Sequence, residues 1–278
     1  MFRPSACVLL LLASVAAAAT FSISACDPGG SCGVAVTTNN LAVGASVAYA
    51  RAGVGAIATQ YETNPNYGPR GLDLLGRGRS ADATLATLLA GDANFEGLDV
   101  RYRQVAIVAL RGKAAIYSGS AALASGWAGG RSGEAHAIVG NGLAGESVLN
   151  AMETAFAQTK GELAARLLAA LEAGELAGGQ STGRMSAALL VRTRAGGFAD
   201  VDLRVDAAAQ PIPELRRLFD LRQAHAVMLA AERAARVAMS LHEPDAALGY
   251  LRGFHARNAA WARLEIDDDL YSSSRRTY

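Results

Sequence analysis

Three hydroxyls stand at alternate positions in TFSIS, as Thr20, Ser22 and Ser24, directly after a run of four alanines. Alternate side chains of an extended chain share one face, so a strand beginning at residue 20 presents all three together. Ala17 and Ala19 satisfy the small-x-small rule for signal cleavage, and a cut after Ala19 leaves Thr20 first. The question is whether that threonine does chemistry or is only a strand starter behind an ordinary processing site. His136 is the sole histidine before the helical C-terminal region, and no G-x-S-x-G elbow or Ser-His-Asp order accompanies it. A hydrogen-bonded strand histidine accounts for it better than a catalytic base. NPNYGPRG brings Asn64, Tyr67 and Arg70 together: an amide, a phenol and a guanidinium in one turn-rich stretch, a candidate lip for an acidic group. Turn chemistry by itself explains its Asn, Pro and Gly. In DVDLRVD, Val201, Leu203 and Val205 share one face and Asp200, Asp202, Arg204 and Asp206 the other, favouring a solvated face with internal ion pairs over a metal site.

Cys7 lies in the leader; the other two cysteines, Cys26 and Cys32, flank DPGGS. A hairpin with Pro28-Gly29-Gly30 at its tip sets them opposite each other, where they can bridge in an oxidising compartment. Free thiols are the competing reading. A zinc site lacks a second Cys pair or nearby His. Residues 1–19 read as a secretory signal, with Arg3 in the n-region and apolar residues 8–12 in the h-region. An uncleaved anchor is the alternative, but the apolar run 6–19 is shorter than the roughly 20 residues of a bilayer span. The expected product is soluble and periplasmic or secreted, with no membrane contact after cleavage. A net charge of +1 and the lack of a basic stripe with aromatics argue against nucleic acid. Neither a metal nor an organic cofactor is expected.

These groups need elements to hold them. Short strands are expected at 21–25 and 33–37, joined by the hairpin, then at 53–59, 104–110, 114–118, 136–139, 186–192 and 201–205. Helices are expected after NPNYGPRG, after the N-cap Ser80, at 146–158 and at 161–173. Residues 119–133 read as a Gly/Ser/Ala-rich loop. Strands come in blocks separated by pairs of helices, which favours α+β with helices on antiparallel sheets. Beyond Pro211 the apolar positions Leu215, Leu218, Phe219, Val227, Leu229 and Ala230 take helical spacing, and Glu243-Pro244-Asp245 splits two helices. A helical hairpin at 222–278, ending in a frayed DDDLYSSSRRTY, would follow a core domain at 20–221. These helices are the expected surface for a protein partner or a second copy.

ATFSI, GVAVTTNNLAVGASVAYARAGVGAIATQ, NPNYGPRGLDLL, VGNGLAG and MSAALLV followed by DVDLRVD occur in that order. Together they resemble the domain-of-unknown-function 1028 family, whose structures look like N-terminal nucleophile (Ntn) hydrolases. The resemblance runs from Thr20 to about Leu221. It implies a four-layer αββα sandwich, and it implies that the first mature residue is the nucleophile with its own α-amine as base. Such an amine titrates near 7.7 to 8.0, so it accepts a proton at neutral pH. Thr20 takes that role, with Ser22 and Ser24 as lesser hydroxyls lacking the free amine. Asn141, in VGNGLAG between a strand and a helix, is the candidate oxyanion donor, unless Asn-Gly there is only a turn. Arg51, Thr59 and Gln60 surround the third strand and are candidates to orient the amine or bind substrate. The implied activity is amide hydrolysis on a small-molecule or peptide-like substrate; a silent Ntn-like binding or assembly module is the alternative.

Overall fold

The computed structural model describes residues 19–257. The expected signal segment, apart from Ala19, and the DDDLYSSSRRTY tail lie outside the described residues. Up to Ile212 the chain forms one compact unit, and from Pro213 a second. The first unit contains strands β1 (Thr20–Cys26), β2 (Cys32–Thr38), β3 (Ala48–Arg51) and β4 (Gly55–Tyr61), then helices α1 (Tyr67–Gly76) and α2 (Ala81–Ala90). There follow β5 (Arg103–Ala109), β6 (Ala115–Ser118), the short α3 (Ser120–Leu123), β7 (Trp127–Ser132) and β8 (His136–Leu143). Helices α4 (Glu146–Gln158) and α5 (Leu163–Leu176) precede β9 (Ser186–Arg192) and β10 (Val201–Val205). All strand pairs are antiparallel. They form a six-stranded sheet of order β10-β9-β2-β1-β8-β7 and a four-stranded sheet of order β3-β4-β5-β6.

β1 is central in the larger sheet, and every one of its residues is buried. Its two faces differ in chemistry. Phe21 packs towards α5, where a Cβ on Gly174 would lie 3.0 Å from its ring. Thr20, Ser22 and Ser24 face the other way, and the Ser22 hydroxyl reaches Gln60 of β4 in the smaller sheet. The space between the sheets is otherwise filled by small apolar residues, among them Val34, Val36, Ala56, Ala58, Ala106, Val108 and Val139. On its outer face the smaller sheet carries α1 and α2 over Ile57, Val105 and Ile107. Gly68 and Gly71 let α1 sit close: a Cβ at Gly71 would be 2.4 Å from Ile57 Cδ1 and one at Gly68 2.2 Å from the Tyr49 ring.

The hairpin β1–β2 brings Cys26 opposite Cys32, and the two are joined as a disulfide. Free thiols are thereby excluded for this pair. In protein lacking residues 1–19, denatured without reductant, alkylation should label no thiol, and two after reduction. The ring closes over a separation of only six residues. Chain entropy predicts about 2 kcal/mol from so short a loop, so the double variant Cys26→Ala/Cys32→Ala should unfold earlier yet still fold. Labelling before reduction is the result that excludes the bond.

Several expectations shift. The 119–133 stretch is not a loop: α3 and the edge strand β7 occupy it. WAGGRS carries no period-2 signal, and its strand state comes from pairing with β8, with a bulge between Trp127 and Gly129. β8 runs four residues past the expected 139, which moves Asn141 out of a connecting loop and into the strand. Tyr67 and Arg70 lie on α1 rather than in a turn. β3 precedes the expected third strand as its hairpin partner. Ser80 caps α2, its hydroxyl accepting from the Ala83 N–H.

In the second unit, α6 (Pro211–Ser240) and α7 (Pro244–Arg257) break at the expected Glu243-Pro244. Ala235, Ala238 and Ala247 form the buried seam between them, whereas Val227, expected on the apolar face, is about half exposed. Among the described residues no helix is long and apolar enough to cross a membrane.

Candidate functional site

Strand register assembles the site. Thr20 stands opposite Thr38 of β2 on one side and Asn141 of β8 on the other, and all three are buried. The Thr20 and Thr38 hydroxyls are 2.9 Å apart. Thr38 donates its one hydroxyl hydrogen to the Ala19 carbonyl at 2.8 Å. The bond between the two threonines must therefore be donated by Thr20.

Behind them lies a chain of amides between the sheets. Ser22 Oγ donates to Gln60 Oε1 at 2.7 Å, and Gln60 Nε2 donates to Gln104 Oε1 at 2.8 Å and lies 3.4 Å from the Thr20 carbonyl. Gln104 of β5 donates from Nε2 to Ser118 Oγ and to the Gly140 carbonyl, each at 2.9 Å. Asn141 Nδ2 donates to Gln104 Oε1 at 2.8 Å. A backbone carbonyl only accepts, so Gly140 fixes which way Gln104 points, and Gln104 then fixes Asn141. The atom of Asn141 left over is the carbonyl oxygen Oδ1, buried and without a hydrogen-bond partner. Asn141 thus presents an acceptor. One of its two Nδ2 hydrogens is given to Gln104.

A family model described as "Family of unknown function (DUF1028)" matches residues 20–215. The chain belongs to the DUF1028 family. Among solved structures it is similar to a DUF1028 protein, SPO2555 from Silicibacter pomeroyi, at 33% identity and a TM-score of 0.65. The match covers 73% of this chain and 85% of that one. No curated protein matches.

In this DUF1028 chain the other sequence candidates divide into three places. Gln60 joins the Thr20 network, but Thr59 follows Ile57 onto the opposite face of β4, under α1 and α2. Its buried hydroxyl has no hydrogen-bond partner. Arg51, at the end of β3, pairs with Asp73 of α1 at 2.9 Å with both side chains about half exposed, and it takes no part in the network. Arg70 donates to the Gly91 carbonyl on the surface.

Asn64 and Tyr67 form no lip. They are buried and donate to the carboxylate of Asp92, Asn64 from Nδ2 at 3.1 Å and Tyr67 from its hydroxyl at 2.6 Å. The same carboxylate receives Arg103 through Nε at 3.1 Å and Nη2 at 3.2 Å. Burial pushes the Asp92 carboxyl up, but the bonds from Arg103, Tyr67 and Asn64 and the Arg103 charge outweigh it, and it is held below the usual carboxylate range. Burial, then the bond to Asp92, raises the Tyr67 phenol, which stays a donor. This cluster anchors the α1–α2 layer on β5. Its turn-like sequence hid a core function, because Asp92 and Arg103 lie far along the chain from Tyr67 and carry no local pattern.

His136 sits at the start of β8, its Nδ1 3.2 Å from the Glu134 carbonyl and its ring 5.5 Å from that of Phe156. The β10 charges pair as Arg192 with Asp202 at 2.7 Å and Arg204 with Asp206 at 2.9 Å, the ion-paired face anticipated for DVDLRVD. Thr38, Gln104 and Ser118 were not singled out by sequence. Thr38 in VTTNN could have been found by pairing it with Thr20 through the hairpin, but Gln104 becomes relevant only once the second sheet is stacked on the first.

Proposed function

We propose that this chain is an exported Ntn-type amidohydrolase built as a four-layer αββα sandwich, with Thr20 as its nucleophile once residues 1–19 are removed. The observation that carries this reading is the unpaired, buried Oδ1 of Asn141, directly across the β1–β8 pair from Thr20. A buried acceptor without a donor is costly, and a free α-amine at Thr20 would supply the missing N–H. The network touching Thr20 is uncharged: threonine, serine, glutamine and asparagine side chains only. No carboxylate, lysine or histidine hydrogen-bonds the Thr20 hydroxyl among the described residues, so its own amine is the base within reach. The family match begins at Thr20, in agreement with a mature start there.

The chemistry balances on this one residue. Thr20 Oγ1 attacks the carbonyl carbon of an amide while its proton passes to the α-amine. The amine gives that proton to the leaving nitrogen as the C–N bond breaks, leaving an ester on Oγ1. Water then hydrolyses the ester by the same proton route and restores the hydroxyl. Asn141 and Gln60 orient the N-terminus in this scheme. Mass determination of the exported protein should give a chain starting at Thr20, and an activated ester should add one acyl group to that residue. A mature chain starting anywhere else removes the mechanism.

A second reading, a catalytically silent binding or assembly module, is favoured by one observation. Met239, Leu241, Leu248 and Tyr250 of the C-terminal helical unit are about half exposed or more. Under either reading we assign those helices to a protein partner or a second copy.

A further inference from the structure

We propose that the recess holding Ala19 is the acyl subsite of this site, and that it takes a small α-amino-acid residue, glycyl or alanyl, recognised through both its carbonyl and its N–H. The proposal rests on Thr20 being the nucleophile. Ala19 is attached to the Thr20 nitrogen, and in an acyl-enzyme the substrate would be attached to Oγ1 of the same residue. Nitrogen and Oγ1 are separated only by Cα and Cβ, so the two acyl groups share much of the same space. Ala19 therefore stands in for the acyl residue of a substrate.

Each polar atom of Ala19 is met. Its carbonyl oxygen accepts from Thr38 Oγ1 at 2.8 Å and from the Asn39 N–H at 3.3 Å. Two fixed donors on one carbonyl oxygen are what a tetrahedral intermediate requires. The Ala19 N–H donates to Asn39 Oδ1 at 3.0 Å. The amide of Asn39 is held in that sense by its Nδ2, which donates to Thr182 Oγ1 at 2.9 Å. A ligand carrying an N–H one carbon from its carbonyl, the pattern of an α-amino acid, satisfies both groups.

Size is set by Gly142. It has φ +60°, a conformation that favours glycine, and a Cβ there would lie 2.7 Å from the Ala19 Cβ and 3.2 Å from its Cα. The Ala19 side chain is fully enclosed. On the Gly142 side, atoms beyond a Cβ methyl would meet the β8 backbone.

The test uses protein beginning at Thr20 and four p-nitrophenyl esters: N-acetylglycyl, N-acetylalanyl, N-acetylleucyl and N-acetylphenylalanyl, with intact mass counting the adducts and fragmentation of the N-terminal peptide locating them on Thr20. The glycyl and alanyl esters should acylate at least about tenfold faster than the leucyl and phenylalanyl esters, after correction for their rates with free threonine methyl ester. N-Acetylsarcosyl ester, which lacks the N–H, should lose about tenfold against N-acetylglycyl because it cannot make the bond that the Ala19 N–H makes to Asn39 Oδ1. Asn39→Ala should erase that difference, and Asn39→Asp, which keeps an acceptor, should preserve it. Acylation of Thr20 at equal rates by all the esters overturns the subsite while leaving the nucleophile standing. Failure of every ester, together with failure of acetic anhydride to esterify Thr20 Oγ1, overturns the nucleophile and the subsite with it.

Discussion

In protein that begins at Thr20, the change Thr20→Ala is expected to lower acylation by an activated ester by about a thousandfold or more, the scale seen when a nucleophile is removed. The fold should survive. Thr20 Oγ1 makes one side-chain hydrogen bond, to Thr38, and losing a single such bond costs about 1 kcal/mol. Thr20→Ser keeps the hydroxyl and the amine and loses only a methyl, so it should retain part of the reactivity. Protein carrying Ala19 ahead of Thr20 should be nearly as inert as Thr20→Ala, for two reasons. Its amine has become a non-basic amide. Ala19 also fills the recess and engages Thr38 and Asn39, the donors a substrate carbonyl would need. If this extended form acylates as fast as the mature one, the N-terminal mechanism is wrong and the binding-module reading takes its place.

The largest effect on stability is expected at Asp92. Asp92 and Arg103 are a fully buried pair, 3% and 1% exposed. Asp92→Asn leaves the guanidinium facing an amide that cannot match its charge, and breaking a buried pair from one side costs about 3–5 kcal/mol. For a domain of this size that corresponds to a fall in Tm of about 10 °C. Arg103 keeps the carbonyls of Glu62, Phe95 and Leu98, which should save the fold from outright loss. The pH dependence follows from the direction of the shift. The folded Asp92 carboxyl lies below its unfolded value, so its contribution is complete above the unfolded value, about 3.9, and is lost as pH falls through the folded value. Wild-type protein should therefore lose stability below about pH 4 more steeply than Asp92→Asn. Denaturant titrations at pH 7 and pH 3 check both parts. A variant within about 1 kcal/mol of wild type at pH 7 would show that Arg103 is satisfied by the backbone carbonyls alone.

Local chemistry made much of the fold legible. The strand expected at 186–192 and the alternating one at 201–205 match β9 and β10 to the residue, and the N-cap Ser80 marked α2. The Asp27–Ser31 tip forecast the hairpin and, through it, the disulfide. β7 was illegible for a physical reason: a strand made of Trp, Ala, Gly, Gly, Arg and Ser has no propensity of its own and exists because β8 offers it an edge. The same extension of β8 relocated Asn141. Tyr67 and Arg70 were misplaced because Pro and Gly, read as turn signals, also suit the first turn and the sheet-facing side of a closely packed helix.

By itself the sequence determined that Thr20 follows a cleavable leader pattern, that Thr20, Ser22 and Ser24 share a strand face, that Cys26 and Cys32 can bridge, and that the family signature starts at Thr20. These are properties of neighbouring residues or of a linear motif, and neighbouring residues are all a sequence displays directly. Only the tertiary structure decided what surrounds Thr20. Thr38 comes from the next strand, Asn141 from a strand more than a hundred residues on, and Gln60 and Gln104 from the opposite sheet. The direction of each amide in that network is imposed by a carbonyl-only acceptor at Gly140, so the open oxygen on Asn141 exists because two sheets are stacked in one register. Hydrogen-bond polarity is a property of the assembled network, and no residue type carries it alone.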